Sequence, residues 1–369
     1  MIADLDGTAL RAADVAVIAR SEVTVRVTEA GRQRIRDAAA ASAGPAYGRT
    51  TGVGANKSVT ATEGNGLRLL RSHAGGSGPV MPPDHLRAML AVRINQFAAG
   101  GSGIDPSVVS ALLDALNGGL LPPARRRGAI GTGDLTALAT TALCLLGERA
   151  WLSGEVTPPV PIDAALAFIS SSAATIGTAA LAWSDTDRLL RAMVPVASLS
   201  VRAVDASLEP FAAAVQAAMP HPGQGWVAAR MRELTADWSG ASRRVQDPYA
   251  FRALSQVHGV AVDAAARLDD VVAVALNAAA ENPLAGNPPQ HNGNFHTAAL
   301  AAALDGLVAA LTQAAALSAA RLSALTNPAL TGLQPFLASA ADGSSGVMIL
   351  EYVAAAAMAE LRGLAGAAA

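Results

Sequence analysis

Hydrophobic and polar positions alternate only near the start of the chain; beyond about residue 28 the apolar residues recur at intervals of three and four. Residues 14–27, "DVAVIARSEVTVRV", are β-branched and partly alternating, which predicts one or two short strands. "TEAGRQRIRDAAAASAG" predicts a helix capped by Thr28 and stopped at Gly44. "MPPDHLRAMLAVRINQFAAGGSG" reads as a helix with a Gly-rich stop. "IDPSVVSALLDALNGG" reads as another, with Asp105 at the cap and Pro106 in the first helical position. From residue 163 the predicted helices lengthen, to 163–182, 185–218, 248–280, 296–325 and 345–365. The stretch "HTAALAAALDGLVAALTQAAALSAARLSAL" is apolar on nearly every face, so it must be surrounded, in a bundle or in a subunit interface. Breaks at 220–225 ("PHPGQG") and 281–294 ("ENPLAGNPPQHNGN") predict loops between helices.

Composition sharpens this picture. The chain has 369 residues, 51% hydrophobic but only 4% aromatic and 15% charged, with Ala and Leu dominating the apolar share. Closely packed helices fit that composition better than sheets, in two domains or one long helical body. A formal charge of -2 with scattered Lys and Arg offers no basic field for a phosphate backbone, so nucleic acid is not an expected partner. The start has two Asp before any apolar run and no signal-peptide pattern, which predicts a cytoplasmic protein. Polar residues interrupting each Ala-rich run predict no membrane association. Cys144, the single cysteine, sits in "TALCLLG" and reads as a small buried hydrophobe, not a nucleophile.

Several loops carry polar residues that a bundle does not need. "PAYGRTTGVGANKS" sets Tyr47 beside a Gly-rich turn, with Asn56 where a phosphate loop has glycine before its lysine. "LLRSHAGGSG" places His73 at a helix end. "VQDPYAFRALSQVHG" spaces Gln246, Tyr249 and Arg252 by three, which predicts one helix face. "ENPLAGNPPQHNGNFHT" offers Asn282, Asn294, Phe295 and His296. The histidines, His73, His258, His291 and His296 among them, lack ligand spacing with carboxylates, so no metal site is expected. Singly, each residue has a structural reading: a turn tyrosine, a helix-capping histidine, an arginine in a surface ion pair.

Together the loops resemble the histidine ammonia-lyase and aromatic amino acid lyase family. Its signature loops appear here in order as "YGRTTGVG", "SHAGG", "GAIGTGDLTALA", "QDPYAFR", "ENPL" and "GNFH", and further agreement runs through "INQFAAGGSGI", "NPALTGLQPFL" and "GSSGVMILEYVAAAAMAE". The resemblance implies a mainly all-α fold: a long central helix bundle (151–369) and a small α/β N-terminal part (1–150) carrying the Tyr47 loop. It also implies a homotetramer, or a dimer, with each active site assembled from more than one subunit. In the family an Ala-Ser-Gly triad cyclises to methylidene-imidazolone, an electrophile for the substrate amine, and a tyrosine removes the β-proton. Carried over, Tyr47 is the base, Arg252 holds the substrate carboxylate, Tyr249 and Gln246 donate around the reacting carbons, and His73 and Phe295 contact the substrate side chain. Asn282 of "ENPL" falls in the substrate pocket.

The departures from the family pattern bear on the chemistry. The segment from Asn117 to Asp134 is one residue short, and Gly131, Thr132 and Gly133 stand where the triad belongs. Dehydration must leave an unsubstituted methylene; threonine would leave a hindered, methyl-bearing alkene. The expectation is therefore an enzyme with no prosthetic group. Ser170 in "FISSSAA" replaces the family's asparagine beside that group. The chain stops at Ala369, where the family continues into a segment with a glutamate near the substrate amine, so a separately encoded chain covering the site is a candidate partner. The expected activity is acid-base chemistry (elimination, conjugate addition or cyclisation) on a small carboxylate-bearing substrate. The alternatives are a conventional ammonia-lyase or aminomutase and a non-catalytic scaffold or partner subunit.

Overall fold

The computed structural model describes residues 1–42, 45–153, 160, 162, 164–238, 242, 244–341 and 343–366. They form two compact units: Met1–Ser184 with Asp269–Ala298, and Asp185–Leu268 with Ala299 onward.

The first unit opens with a small βαβ element. Strand β1 (Ile2–Leu5) pairs in parallel with β2 (Thr24–Val27), joined by helix α1 (Ala12–Arg20). The expected strand over 14–20 is thus a helix. Ala12, Val15, Ala16, Ile18 and Ala19 are buried at helical spacing, and their packing against the helix after Pro82 overrides the β-branched preference. Helix α2 (Glu29–Ala41) starts as expected, with the Thr28 hydroxyl accepting from the Gly31 amide; Gly44 lies outside the described residues. Next come α3 (Asn65–His73), β3 (Ser77–Val80), α4 (Pro83–Ala98), α5 (Pro106–Asn117) and β4 (Arg125–Arg127). β3 and β4 pair antiparallel. The Asp105 carboxylate caps α5 through the Ser107 amide at 2.8 Å. Helix α4 is the core of this unit: every residue from Ala88 to Ala98 is buried. Each large apolar side chain there contributes about 1.5–3 kcal/mol.

Helix α6 (Leu135–Leu145) is buried from Ala137 to Leu145. Cys144 is part of that core, and burial pushes its thiol up to about 12, as a packing cysteine requires. A short α7 (Ala165–Ile169) precedes α8 (Ala173–Ala203), which runs through residues 183–184 without the expected break.

The second unit holds α9 (Ala213–Ala218), α10 (Pro222–Leu234), α11 (Tyr249–Arg252), most of α12 (Leu254–Leu276), α13 (Ala298–Leu325), α14 (Pro328–Thr331) and α15 (Ile349–Leu364). Where a loop was expected over 220–225, Pro222 begins α10, since its fixed φ and missing N–H suit a first helical turn. The core gathers Val194, Val201, Phe211, Met231, Phe251 and Leu254, among others. Two stretches, 165–203 and 298–325, are long and apolar enough to cross a membrane by length and composition, where polar interruptions were expected to prevent it. Within α13 the only charged residues are Asp305 and Arg321. A third of its apolar window is buried among the described residues.

Candidate functional site

The loop leaving β4 holds the residues in the triad's place. Gly131 and Gly133 have φ of +82° and +105°, a region side chains rarely enter. The Gly131 carbonyl accepts from both the amide (3.0 Å) and the hydroxyl (3.1 Å) of Thr297. Thr132, between them, is partly exposed. Asp134 locks the end of the loop. Its amide donates to the Ser171 carbonyl at 2.7 Å, and its carboxylate accepts from the amide and hydroxyl of Thr175 in the first turn of α8. Burial raises this carboxyl above its ordinary range, and the Thr175 donors oppose that shift. His73 closes α3 as expected. Its Nδ1 lies 2.9 Å from the Leu69 carbonyl and 3.0 Å from the Ser72 hydroxyl, and Nε2 makes no hydrogen bond among the described residues.

Residues 170–172 and 281–297 lie against this loop. Ser170 caps the C-terminus of α7, and its buried hydroxyl accepts from the Asn282 amide at 3.0 Å. The Asn282 side chain accepts from the Asn292 amide, and Asn292 returns a bond to the Glu281 carbonyl. Ser172 donates to the Phe295 carbonyl at 2.7 Å. His296 accepts from the Ala298 amide at the start of α13. Tyr47 meets the edge of the His291 ring, centroids 6.5 Å apart, and its oxygen accepts from the Gly54 amide at 2.8 Å. The Gly131 loop, Ser170, Asn282 and Phe295 are therefore bonded into one neighbourhood of the first unit, and Tyr47 joins it through His291.

Beneath these loops is a pair that the motif reading missed. Arg93 of α4 and Glu281 are both fully buried, 2.8 Å apart. Arg93 also donates to the carbonyls of Ala167 and Phe168 and stacks over the Phe97 ring. Gln96, one turn further on, accepts from Arg93 and from the Ser171 hydroxyl, and donates to the Ala275 carbonyl. Burial pushes the Glu281 carboxyl up and Arg93 pulls it back; the guanidinium stays charged. A signal was present: an arginine amid "AMLAVRINQF", with no acid three or four residues away, must find a remote partner.

In the second unit the expectation of one helix face for Gln246, Tyr249 and Arg252 fails. Helix α11 spans only Tyr249–Arg252, because Pro248 forces the residue before it out of the helical region and ends any helix there. Gln246 sits outside, exposed. The segment is anchored by buried Asp247, which accepts from the Ser207 amide and from Arg244, both at 2.6 Å. Tyr249 is exposed. The Arg252 guanidinium lies 5.1 Å from the Tyr249 ring centroid, and its Nε is buried with no acceptor among the described residues.

The family model for aromatic amino acid lyases matches residues 10–369, and the chain belongs to that family. The histidine ammonia-lyase of Treponema denticola is 35% identical over 395 aligned residues, spanning 97% of this chain and 77% of that protein. Among solved structures, the tyrosine aminomutase of Streptomyces globisporus superposes with a TM-score of 0.88 at 29% identity, covering 98% of this chain and 78% of that one. The ergothioneine-degrading ergothionase of T. denticola superposes with a TM-score of 0.87 at 25% identity, covering 99% and 80%. The chain has the mainly helical ammonia-lyase fold, with a small α/β element at its start.

Proposed function

We propose that this lyase works by acid-base catalysis on a small, carboxylate-bearing, amino-acid-derived substrate without a methylidene-imidazolone group. The observation that carries the reading is Gly131-Thr132-Gly133. Gly131 has a carbonyl polarised by two Thr297 donors, as cyclisation would require, but Thr132 cannot yield an unsubstituted methylene. The residues present do not fit the ring.

Without an amine-seeking electrophile, a leaving group must depart unaided. A quaternary ammonium does so: it leaves as a neutral tertiary amine, taking the Cα–N electron pair. In this reading Tyr47 removes the β-proton, the freed pair becomes the carbon–carbon double bond, and Arg252 holds the carboxylate bidentately. Tyr249 and Gln246 donate around the reacting carbons. His73, through its Nε2, and Phe295 select the side chain, with Ser170 and Asn282 lining the pocket. Likeness to an ergothioneine-degrading enzyme makes ergothioneine, a trimethylammonium betaine, the first probe. The assembly proposed is a homotetramer, supported by the thinly covered α13 and by exposed Ile349, Leu350, Tyr352 and Val353 on α15.

Turnover of ergothioneine, histidine, tyrosine and phenylalanine, with and without prior borohydride, tests the reading. Release of a tertiary amine that survives borohydride is the expected result. Borohydride-sensitive release of ammonia would overturn it and favour a second reading, a conventional ammonia-lyase, which rests on the 35% identity to a histidine ammonia-lyase.

A further inference from the structure

We propose that the buried Arg93–Glu281 pair is the positioning element of the site, setting where Ser170 and Asn282 stand; the inference rests on the reading above that these two residues line the substrate pocket. The placement follows from what each end of the pair holds. Arg93 donates to the carbonyls of Ala167 and Phe168, three and two residues before Ser170. Glu281 directly precedes Asn282, whose amide donates to the Ser170 hydroxyl. One ion pair thus fastens both loops to α4, which is buried throughout from Ala88 to Ala98, and the Ser170–Asn282 bond closes the circuit.

The fastening reaches further than those two residues. Gln96 accepts from Ser171 as well as from Arg93, and the Ser171 carbonyl accepts from the Asp134 amide that ends the Gly131 loop. A shift of the pair would reach Asp134 through three hydrogen bonds. The fit around the acid is close: Glu281 Oε2 has no hydrogen-bond partner among the described residues, and a side chain on Gly101 would come within 2.9 Å of it. A pair wanted only for stability could be replaced by apolar groups of the same volume, because burying two charges returns little net free energy. What apolar groups cannot replace is four directed donations from one guanidinium, which fix orientation as well as distance.

The test separates fold from position. Arg93→Met with Glu281→Met fills the space without leaving a lone charge, and its melting temperature is expected to stay near that of the wild type. Hydrogen exchange at the Asn282 and Asp134 amides is expected to speed up by about 100-fold, with the amides of α1 unchanged. With ergothioneine as substrate, Ser170→Ala and the double replacement each raise KM about tenfold, and the triple variant no further, because both act through one contact. Unchanged protection at Asn282 and Asp134 overturns the proposal, as does a KM loss in the triple variant that multiplies. Faster exchange with unaltered KM instead removes Ser170 and Asn282 from the pocket, which is a failure of the functional reading. If the double variant does not fold, Glu281→Gln, which keeps shape and one acceptor, carries the same readouts.

Discussion

The motif segments "ENPL" and "QDPYAFR" carry a charged residue at opposite ends, Glu281 at the start of the first and Arg252 at the close of the second, and they treat those charges in opposite ways. In the first, Glu281 meets Arg93, and the guanidinium reaches four acceptors with no exposure to solvent. In the second, Arg252 keeps a buried Nε without an acceptor among the described residues and Tyr249 stands exposed beside it. A charge satisfied within the fold does structural work. The two segments also differ in access: Glu281 Oε2, likewise unpartnered among the described residues, is fully enclosed, whereas Arg252 reaches solvent, so a carboxylate bound there would repay the desolvation already incurred at its Nε. The same contrast extends to Arg321 of the second unit, which is 3% exposed and, among the described residues, has its one hydrogen-bond contact with His258 at 3.5 Å.

Breaking the satisfied charge has the largest expected effect. Arg93→Met alone leaves Glu281 buried and unpaired and should destabilise the protein by roughly 3–5 kcal/mol, read by denaturant titration; a loss under 1 kcal/mol contradicts the comparison. Tyr47→Phe should lower kcat roughly 100- to 1000-fold with the fold intact. Unchanged turnover removes Tyr47 from the chemistry. Arg252→Met should cost about 10- to 100-fold in kcat/KM with little change in stability, because no partner among the described residues loses a bond to Nε. A large fall in melting temperature would place Arg252 with Arg93 as structural.

The smallest effect is on pH dependence. Burial, and then the charge of Arg321, hold the His258 imidazole at about 4 in the folded chain. The unfolded imidazole titrates near 6.5, so between these values the unfolded state binds the proton that the folded state refuses. Stability contributed by neutral His258 is therefore present above about pH 6.5 and lost as pH falls toward 4, by about 2 kcal/mol between pH 7 and 5. His258→Leu should flatten that part of the profile, and an unaltered slope would assign the acid sensitivity elsewhere.

The contrast also marks what a linear sequence can reveal. Caps such as Thr28 and Asp105 were legible because their chemistry is local: a side-chain oxygen and an amide two or three residues on. The order of the motif loops made the family, and with it the fold, legible as well. Helix α1 was misread because Val15, Val17 and Ile18 favour strands, while the packing that decides the matter comes from α4. Spacing by three placed Gln246 with Tyr249 and Arg252, but Pro248 interrupts the helix that such spacing presumes. Arg93 and Glu281 lie 188 residues apart, and only an arginine stranded in an apolar helix hinted at the pair.

The central claim is covalent and is tested most directly by the intact mass of the purified full-length chain. The account predicts the mass of the unmodified sequence, with Gly131, Thr132 and Gly133 as ordinary peptide units. A mass short by two waters, mapped by peptide digestion to this loop, would contradict it.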